Sequence, residues 1–183
     1  MQRTGANENI GDGECAIIMG LAGTDVVKNR TNGFTERLEE LGSKIKVVDS
    51  QNADWDRNTA KDVAATILKT YPDLKIICCN NDVMAMGALE AVKESGKTLN
   101  KDVYVIGMDG TDEAYESIRA NELSATVSMY PLYESQMATE CAVRILLGQE
   151  MPSVIWTPAM VTDATNVDAD EADTIGWTDP TFE

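Results

Sequence analysis

Short apolar runs alternate with longer amphipathic segments along most of the chain. Most of these runs are almost continuous in apolar residues, which is typical of strands that are buried on both faces of a sheet. They predict five strands: Cys15–Gly20, Lys44–Asp49, Leu74–Cys79, Val103–Met108 and Ser124–Ser128. A further extended segment is predicted at Val154–Val161.

The segments between the strands carry apolar residues at helical spacing, and a glycine or a proline follows four of them, where helices commonly end. The predicted helices are Thr24–Leu41, Asn58–Tyr71, Asp82–Ser95, Glu113–Asn121 and Leu132–Leu147. Helices that alternate with buried strands indicate an α/β fold. We therefore expect a three-layer α/β/α sandwich with a mainly parallel sheet of about five to six strands.

Charge and hydropathy exclude several classes of partner. The chain has 183 residues, the size of one ordinary domain, and a formal net charge of −16. This charge argues against nucleic acid and against docking on anionic lipid, because both require a basic face. The longest apolar run, Cys15–Ala22, is far shorter than the roughly 20 residues of a membrane span. Residues 1–14 lack the apolar core of a signal peptide.

Several kinds of reactive site find no support in the sequence. There is no histidine, and the four cysteines have no C-x-x-C spacing, which argues against a zinc site and against Ser-His-Asp or Cys-His catalysis. The turn at residues 20–25 reads GLAGTD rather than G-x-G-x-x-G, which argues against a nucleotide cofactor. We expect no metal, no cofactor and no enzymatic activity. Carboxylate pairs such as Asp54/Asp56 or Asp109/Asp112 leave acid–base catalysis as an open alternative.

Polar residues collect where four predicted strands end, in segments 20–25, 51–57, 80–82 and 109–112. Ligands of open parallel sheets bind beyond these ends. Helix capping explains each junction taken singly, since Asp, Asn and Thr are preferred N-caps. Taken together, carboxylate, amide and guanidinium groups beside an aromatic ring match the hydroxyls and the C–H face of a sugar. Trp55 and Arg30 fit this chemistry, although Arg30 is equally compatible with an ordinary surface arginine.

The order of several short strings indicates a family. GLAGT is followed by NRTNGF, ADWDR, CNNDVMAMGALEAVKESGK, VYVIGMDGT and ELSATVSMYP. Over Gly13–Asn166 this set resembles the C-terminal lobe of type I periplasmic sugar-binding proteins, closest to the ribose- and allose-binding group. Each string is weak alone, but the ordered set is specific.

The resemblance implies ligand-binding roles for five residues. Arg30 matches an arginine that bonds to sugar oxygens, and Trp55 matches an aromatic residue that stacks on the sugar. Asn81 matches an asparagine after the third strand, and Asp109 an aspartate that accepts from sugar hydroxyls. Met129 stands where the ribose-binding pattern has Gln. Because Met cannot donate a hydrogen bond to a hydroxyl, we expect a less hydroxylated or differently shaped sugar or polyol than ribose.

The same resemblance predicts the domain organisation. Residues 1–14 resemble a remnant of the crossover between two lobes, residues 15–165 the C-terminal lobe, and residues 166–183 an acidic, solvated tail. The resemblance implies that the family's N-terminal lobe is largely missing from this chain. We therefore expect this chain to supply half of a ligand cleft, to bind a sugar weakly by itself, and to self-associate as a homo-oligomer through the exposed cleft face.

The implied function is that of the solute-binding subunit of an ABC-type sugar importer. In the full-length protein, the partners are a sugar or polyol, the N-terminal lobe, and an ABC permease or a chemoreceptor. The implied location is periplasmic or extracellular, with a lipid anchor as one form of attachment. The alternative is the effector-binding domain of a LacI-type transcription regulator, which shares the fold. Such regulators carry an N-terminal helix-turn-helix, which residues 1–14 cannot form.

Overall fold

The computed structural model describes residues 12–169, which form a six-stranded sheet and five helices. The strands are β1 (Asp12–Met19), β2 (Lys44–Asn52), β3 (Leu74–Cys79), β4 (Tyr104–Asp109), β5 (Ala125–Met129) and β6 (Ala159–Asp163). The helices are α1 (Asp25–Glu40), α2 (Arg57–Thr70), α3 (Asp82–Glu94), α4 (Asp112–Arg119) and α5 (Pro131–Leu146). Most elements lie where the sequence predicts them.

Three boundaries differ from the prediction by three residues or more, and one of them is the end of β2, which continues to Asn52 instead of ending at Asp49. β1 begins at Asp12, three residues before the predicted strand. Of the predicted extended segment Val154–Val161, only the last three residues belong to a strand, β6. Pro158 immediately precedes β6, and a proline cannot donate a hydrogen bond to a neighbouring strand. The predicted crossover remnant up to residue 11 and the predicted tail from residue 170 lie outside the described residues.

The sheet has the strand order β2-β1-β3-β4-β5-β6. The first five of these strands pair in parallel, and β6 pairs antiparallel with β5. Parallel neighbours need a crossover connection, and helices α1 to α4 supply these connections. The observed sheet confirms the predicted α/β fold with a mainly parallel sheet. All five parallel strands therefore end at the same edge.

Successive residues of β1 alternate between two apolar clusters, one on each face of the sheet. Ala16 and Ile18 belong to the larger cluster, which includes residues of α2, α3 and α4. Cys15 and Ile17 belong to a smaller cluster, against which Phe34 of α1 packs. These four strand residues are at most 1% exposed. Burial on both faces explains why the strand is continuously apolar in sequence.

Helix α5 is much less buried than α2 or α3. Its only buried residue is Met137, whereas Leu132 and Leu146 are 73% and 86% exposed. Trp156, which follows α5, is 89% exposed. Exposed apolar side chains of this size are typical of surfaces that contact another protein when they are contiguous. No helix within residues 12–169 has the length and apolar character needed to cross a bilayer.

Candidate functional site

The carboxyl ends of the parallel strands bring several polar loops to one edge of the sheet. β1 leads into Gly20, β3 leads into Asn80 and Asn81, and β4 ends at Asp109. Asp109 is opposite Ser128 in the pairing of β4 with β5. Met129 is therefore the next residue along this edge. In open parallel sheets, this edge is where ligands bind.

Arg30 connects these loops, although it comes from the second turn of α1. Its Nη2 lies 2.9 Å from Oδ1 of Asp109, and its Nη1 donates to the main-chain carbonyl of Asn80 at 2.5 Å. Its Cζ lies 5.9 Å from the ring centroid of Trp55, within the range of a cation–π contact. These partners offset the unfavourable placement of a cation near the start of a helix.

Trp55 lies in a tight turn between β2 and α2. Asp54 and Trp55 have φ angles of 51° and 68°, a left-handed conformation that is uncommon outside glycine. Asp56 follows directly and is the N-cap of α2. The indole lies against the end of β1, because a β-carbon at Gly20 would be only 2.2 Å from Cε2 of Trp55. The indole can therefore occupy this position only because Gly20 has no side chain.

The two asparagines after β3 have different roles. Asn81 is the N-cap of α3, and its Oδ1 accepts from the N–H of Met84 at 2.9 Å. The Asn81 amide nitrogen forms no hydrogen bond within residues 12–169. Every buried side-chain nitrogen and oxygen of these residues has a partner, so the amide nitrogen of Asn81 must be accessible to solvent. Asn80 is 4% exposed, and its amide donates to the hydroxyl of Thr31 at 3.3 Å. Asn80 thus fixes Arg30, while Asn81 has a free donor.

Asp109 ends β4 with a φ of 126°, a region that residues with a β-carbon rarely occupy. Its side chain is 36% exposed. Burial raises the pKa of the Asp109 carboxyl, Arg30 acts to lower this pKa through its charge and its hydrogen bond, and Asp82 adds to the rise. Arg30 therefore favours the ionised carboxylate, whose exposed part can still accept hydrogen bonds from a ligand.

The arrangement offers hydrogen bonding and stacking at one edge. The donors are a guanidinium and an amide, the acceptor is a carboxylate, and an indole supplies the apolar face. Within the described part of the chain, no group of three or more Asp, Glu or Cys side chains is arranged to hold a metal ion.

Comparison with known proteins assigns the family. The sequence profile described as the periplasmic binding protein domain matches residues 2–150. The chain belongs to the periplasmic binding protein family.

Three similar proteins show how far this likeness extends. The D-allose-binding periplasmic protein of Escherichia coli K12 is 47% identical over 119 residues, which are 65% of this chain and 37% of that protein. The ribose import binding protein of Bacillus subtilis 168 is 37% identical over 152 residues, which are 82% of this chain and 48% of that protein. An ABC transporter periplasmic solute binding protein from Actinobacillus succinogenes, solved with bound D-allose, has a TM-score of 0.79 at 33% identity and covers 85% of this chain and 54% of that one. The chain spans about half the length of the curated relatives it matches, or less.

In this periplasmic binding protein domain, Arg30 contacts two of the other four predicted site residues. Arg30 is the link, because it pairs with Asp109 and lies over Trp55. Asn81 lies at the end of the neighbouring strand, next to the carbonyl that Arg30 binds. Met129 lies on the same edge, but no hydrogen bond or ring contact joins it to the other four within residues 12–169. Ligand binding by the five residues is still a prediction.

Sequence reasoning missed two residues that build this site, Asn80 and Gly20. Asn80 stands in a junction that the sequence identifies as polar, but only the packing of α1 over β3 shows that its carbonyl receives Arg30. Gly20 is predicted only as a turn glycine. Its contact with the indole arises between residues 35 positions apart, which no local pattern reveals.

Proposed function

We propose that this chain supplies one wall of the ligand cleft of a sugar-binding subunit that serves an ABC-type importer. The observation that carries the proposal is the Arg30–Asp109 ion pair, 2.9 Å long, beside the indole of Trp55 at the carboxyl edge of the sheet. The identity to transport proteins supports import over the effector domain of a LacI-type regulator, which shares the fold.

The chemistry of this edge suits sugar hydroxyls, because each hydroxyl both donates and accepts. Asp109 accepts from one hydroxyl, and Arg30 donates to a neighbouring oxygen. The ion pair holds both groups before the ligand arrives, which reduces the entropy lost on binding. Trp55 offers an apolar face to the C–H groups of the ring, and Asn81 donates through its amide nitrogen. Such binding makes and breaks no covalent bond, so we propose no enzymatic activity.

Met129 narrows the class of ligand. A thioether cannot donate a hydrogen bond to a hydroxyl, so the ligand atom that faces this position should not require a donor. We therefore propose a sugar or polyol that is shaped differently from ribose or has fewer hydroxyls on this side. The similar proteins named above are described for D-allose and ribose, which makes those two sugars natural reference ligands.

One sheet edge leaves much of a bound sugar uncovered, so tight binding needs a second surface. The chain spans about half the length of its curated relatives or less, and we propose that the N-terminal lobe of the full-length protein is that surface. A ligand that touches both lobes stabilises the closed form. An ABC permease or a chemoreceptor then binds the closed protein. We place this step in the periplasm or outside the cell, with or without a lipid anchor on the protein.

An NMR titration of the isotope-labelled chain with D-allose, D-ribose and myo-inositol tests the proposal, because it detects weak binding. We expect saturable shifts of the amides near Asn81 and Gly110 with at least one of these ligands. Arg30→Met should remove the shifts. Arg37→Met is the matched control, because Arg37 lies on the same helix and pairs only locally with Glu40. The proposal fails if no ligand causes saturable shifts, or if both variants lose them equally.

A further inference from the structure

Asp82, the first residue of α3, has a carboxylate that is completely buried and has no cationic partner. Its exposure is 0%, and none of the ion pairs among residues 12–169 includes it. Burying a charge is costly unless hydrogen bonds satisfy it. The location of this carboxylate therefore points to a specific role.

Four hydrogen bonds satisfy both oxygens of Asp82. Oδ2 accepts from the N–H of Gly110 at 2.8 Å, and from the N–H and the hydroxyl of Thr111 at 2.9 and 3.3 Å. Oδ1 accepts from the hydroxyl of Thr126 at 2.7 Å. Two successive main-chain N–H groups that converge on one anion form a nest. Gly107 leaves room for this carboxylate, because a β-carbon there would lie 2.1 Å from Oδ1.

The nest directly follows Asp109 and supports its strained backbone. Asp109 and Gly110 have φ angles of 126° and 76°. A non-glycine residue keeps such a conformation only when its surroundings hold it there. The bonds from Gly110 and Thr111 to Asp82 hold it, and the direction of the Asp109 side chain toward Arg30 depends on this conformation.

We propose that Asp82 is a positioning residue of the cleft, whose buried carboxylate holds the turn 109–111 so that Asp109 meets both Arg30 and the ligand. The effect on ligand affinity rests on the proposed sugar-binding function. Sugar affinity then depends on a side chain that the sugar cannot touch, since Asp82 has no exposed surface.

Two substitutions at this position separate the geometry from the charge. Asp82→Ala removes the carboxylate that both N–H groups of the nest share, and leaves Gly110 only its longer bond to the Thr126 hydroxyl oxygen, 3.3 Å. Asp82→Asn keeps the nest, because the amide oxygen can accept from the two N–H groups. The amide nitrogen can donate to the Thr126 hydroxyl oxygen, although the Thr126 hydroxyl then loses Oδ1 as its acceptor. For Asp82→Ala we expect amide hydrogen exchange at Gly110 and Thr111 to accelerate about tenfold or more, and sugar affinity to fall about ten- to a hundredfold. Asp82→Asn should keep the exchange rates and the sugar affinity within a few-fold of those of the unaltered chain.

Ser117→Ala is the control for a general loss of stability. Ser117 is also buried and bonds to a main-chain N–H, that of Leu123, at 3.2 Å, but it lies outside the turn. We expect Ser117→Ala to change neither the exchange at Gly110 nor the affinity.

If Asp82→Ala does not fold, Thr126→Val replaces it, because this change removes the hydroxyl that binds Oδ1. Exchange is then read at Thr111, whose N–H donates to Asp82, and it should accelerate. Gly110 is not read for this variant, because its N–H also donates directly to the Thr126 hydroxyl oxygen at 3.3 Å.

The outcomes separate this inference from the proposed function. If Asp82→Ala, or Thr126→Val in its place, matches Ser117→Ala in exchange and in affinity, the positioning role is overturned. The role is also overturned if Asp82→Asn is as damaging as Asp82→Ala. If the unaltered chain binds none of the sugars, the proposed function fails, whereas accelerated exchange at Gly110 and Thr111 in Asp82→Ala still supports Asp82 as the residue that holds the turn.

Discussion

Replacing Gly20 by Ala tests whether the indole of Trp55 depends on a missing side chain at the end of β1. The added methyl would lie 2.2 Å from both Cε2 and Cζ2 of the indole. Non-bonded carbon atoms approach to about 3.5 Å at best, so the ring has to move by roughly 1.3 Å. The turn cannot follow easily, because Trp55 already has a φ of 68°.

The cost of this displacement can be compared with a glycine that has free space. Overpacking costs about 1–3 kcal/mol, and 1 kcal/mol shifts Tm by roughly 2–4 °C in a domain of this size. We therefore expect Gly20→Ala to lower Tm by about 2–12 °C and to weaken sugar binding. At Gly33 in α1, a β-carbon would meet no atom within 4 Å. Gly33→Ala should instead stabilise the helix by roughly 0.5–1 kcal/mol.

A double-mutant cycle followed by thermal unfolding identifies the source of the loss. The four proteins are the unaltered chain, Gly20→Ala, Trp55→Ala and the double variant. Once the ring is removed, the methyl at position 20 has room, so Gly20→Ala should cost little in the Trp55→Ala background. An equal fall of Tm in both backgrounds would refute the reasoning, because the clash would then involve another part of the protein.

Three further predictions concern charge, thiols and association. Asp109→Asn should raise Tm at neutral pH while weakening sugar binding, because burial raises the pKa of the Asp109 carboxyl. A raised folded-state pKa stabilises the protein at low pH, so the gain in Tm should shrink as the pH falls toward the ordinary pKa of 3.8 and below. A gain in Tm that does not vary with pH would contradict this prediction. A thiol reagent should label only Cys141 in the folded chain and all four cysteines in denaturant, because Cys15, Cys78 and Cys79 are buried. A hydrogen bond with Cys15 and burial raise the pKa of the Cys78 thiol, and burial raises the pKa of the Cys79 thiol. The prediction is wrong if the folded Cys141→Ser variant still reacts. We expect a species larger than a monomer in light scattering, because Leu132, Leu146 and Trp156 are exposed. Leu146→Lys should reduce this association, and a monomer at high concentration would argue against the prediction.

Much of the fold could be predicted from local patterns in the sequence. The apolar run 74–79 predicts a strand buried on both faces, and β3 is such a strand. The spacing of apolar residues after Asn58 predicts α2, because one face of a helix repeats every 3.6 residues. The alternation of these elements then favours a parallel sheet, since parallel neighbours need a crossover of helical length. From this topology alone, the polar junctions fall on a single edge.

The tertiary structure decided which residues of those junctions work together. Arg30 meets Asp109 and Asn80 across 79 and 50 positions of the chain, and no local pattern encodes such pairs. In the sequence, Asp82 looks like an ordinary acidic residue in the first turn of a helix. Its burial beneath the turn 109–111 depends on the neighbouring positions of β3, β4 and β5 in the sheet. Periodicity is a property of a few consecutive residues and so determines the elements, whereas the site arises from contacts between elements, which exist only after the sheet has formed.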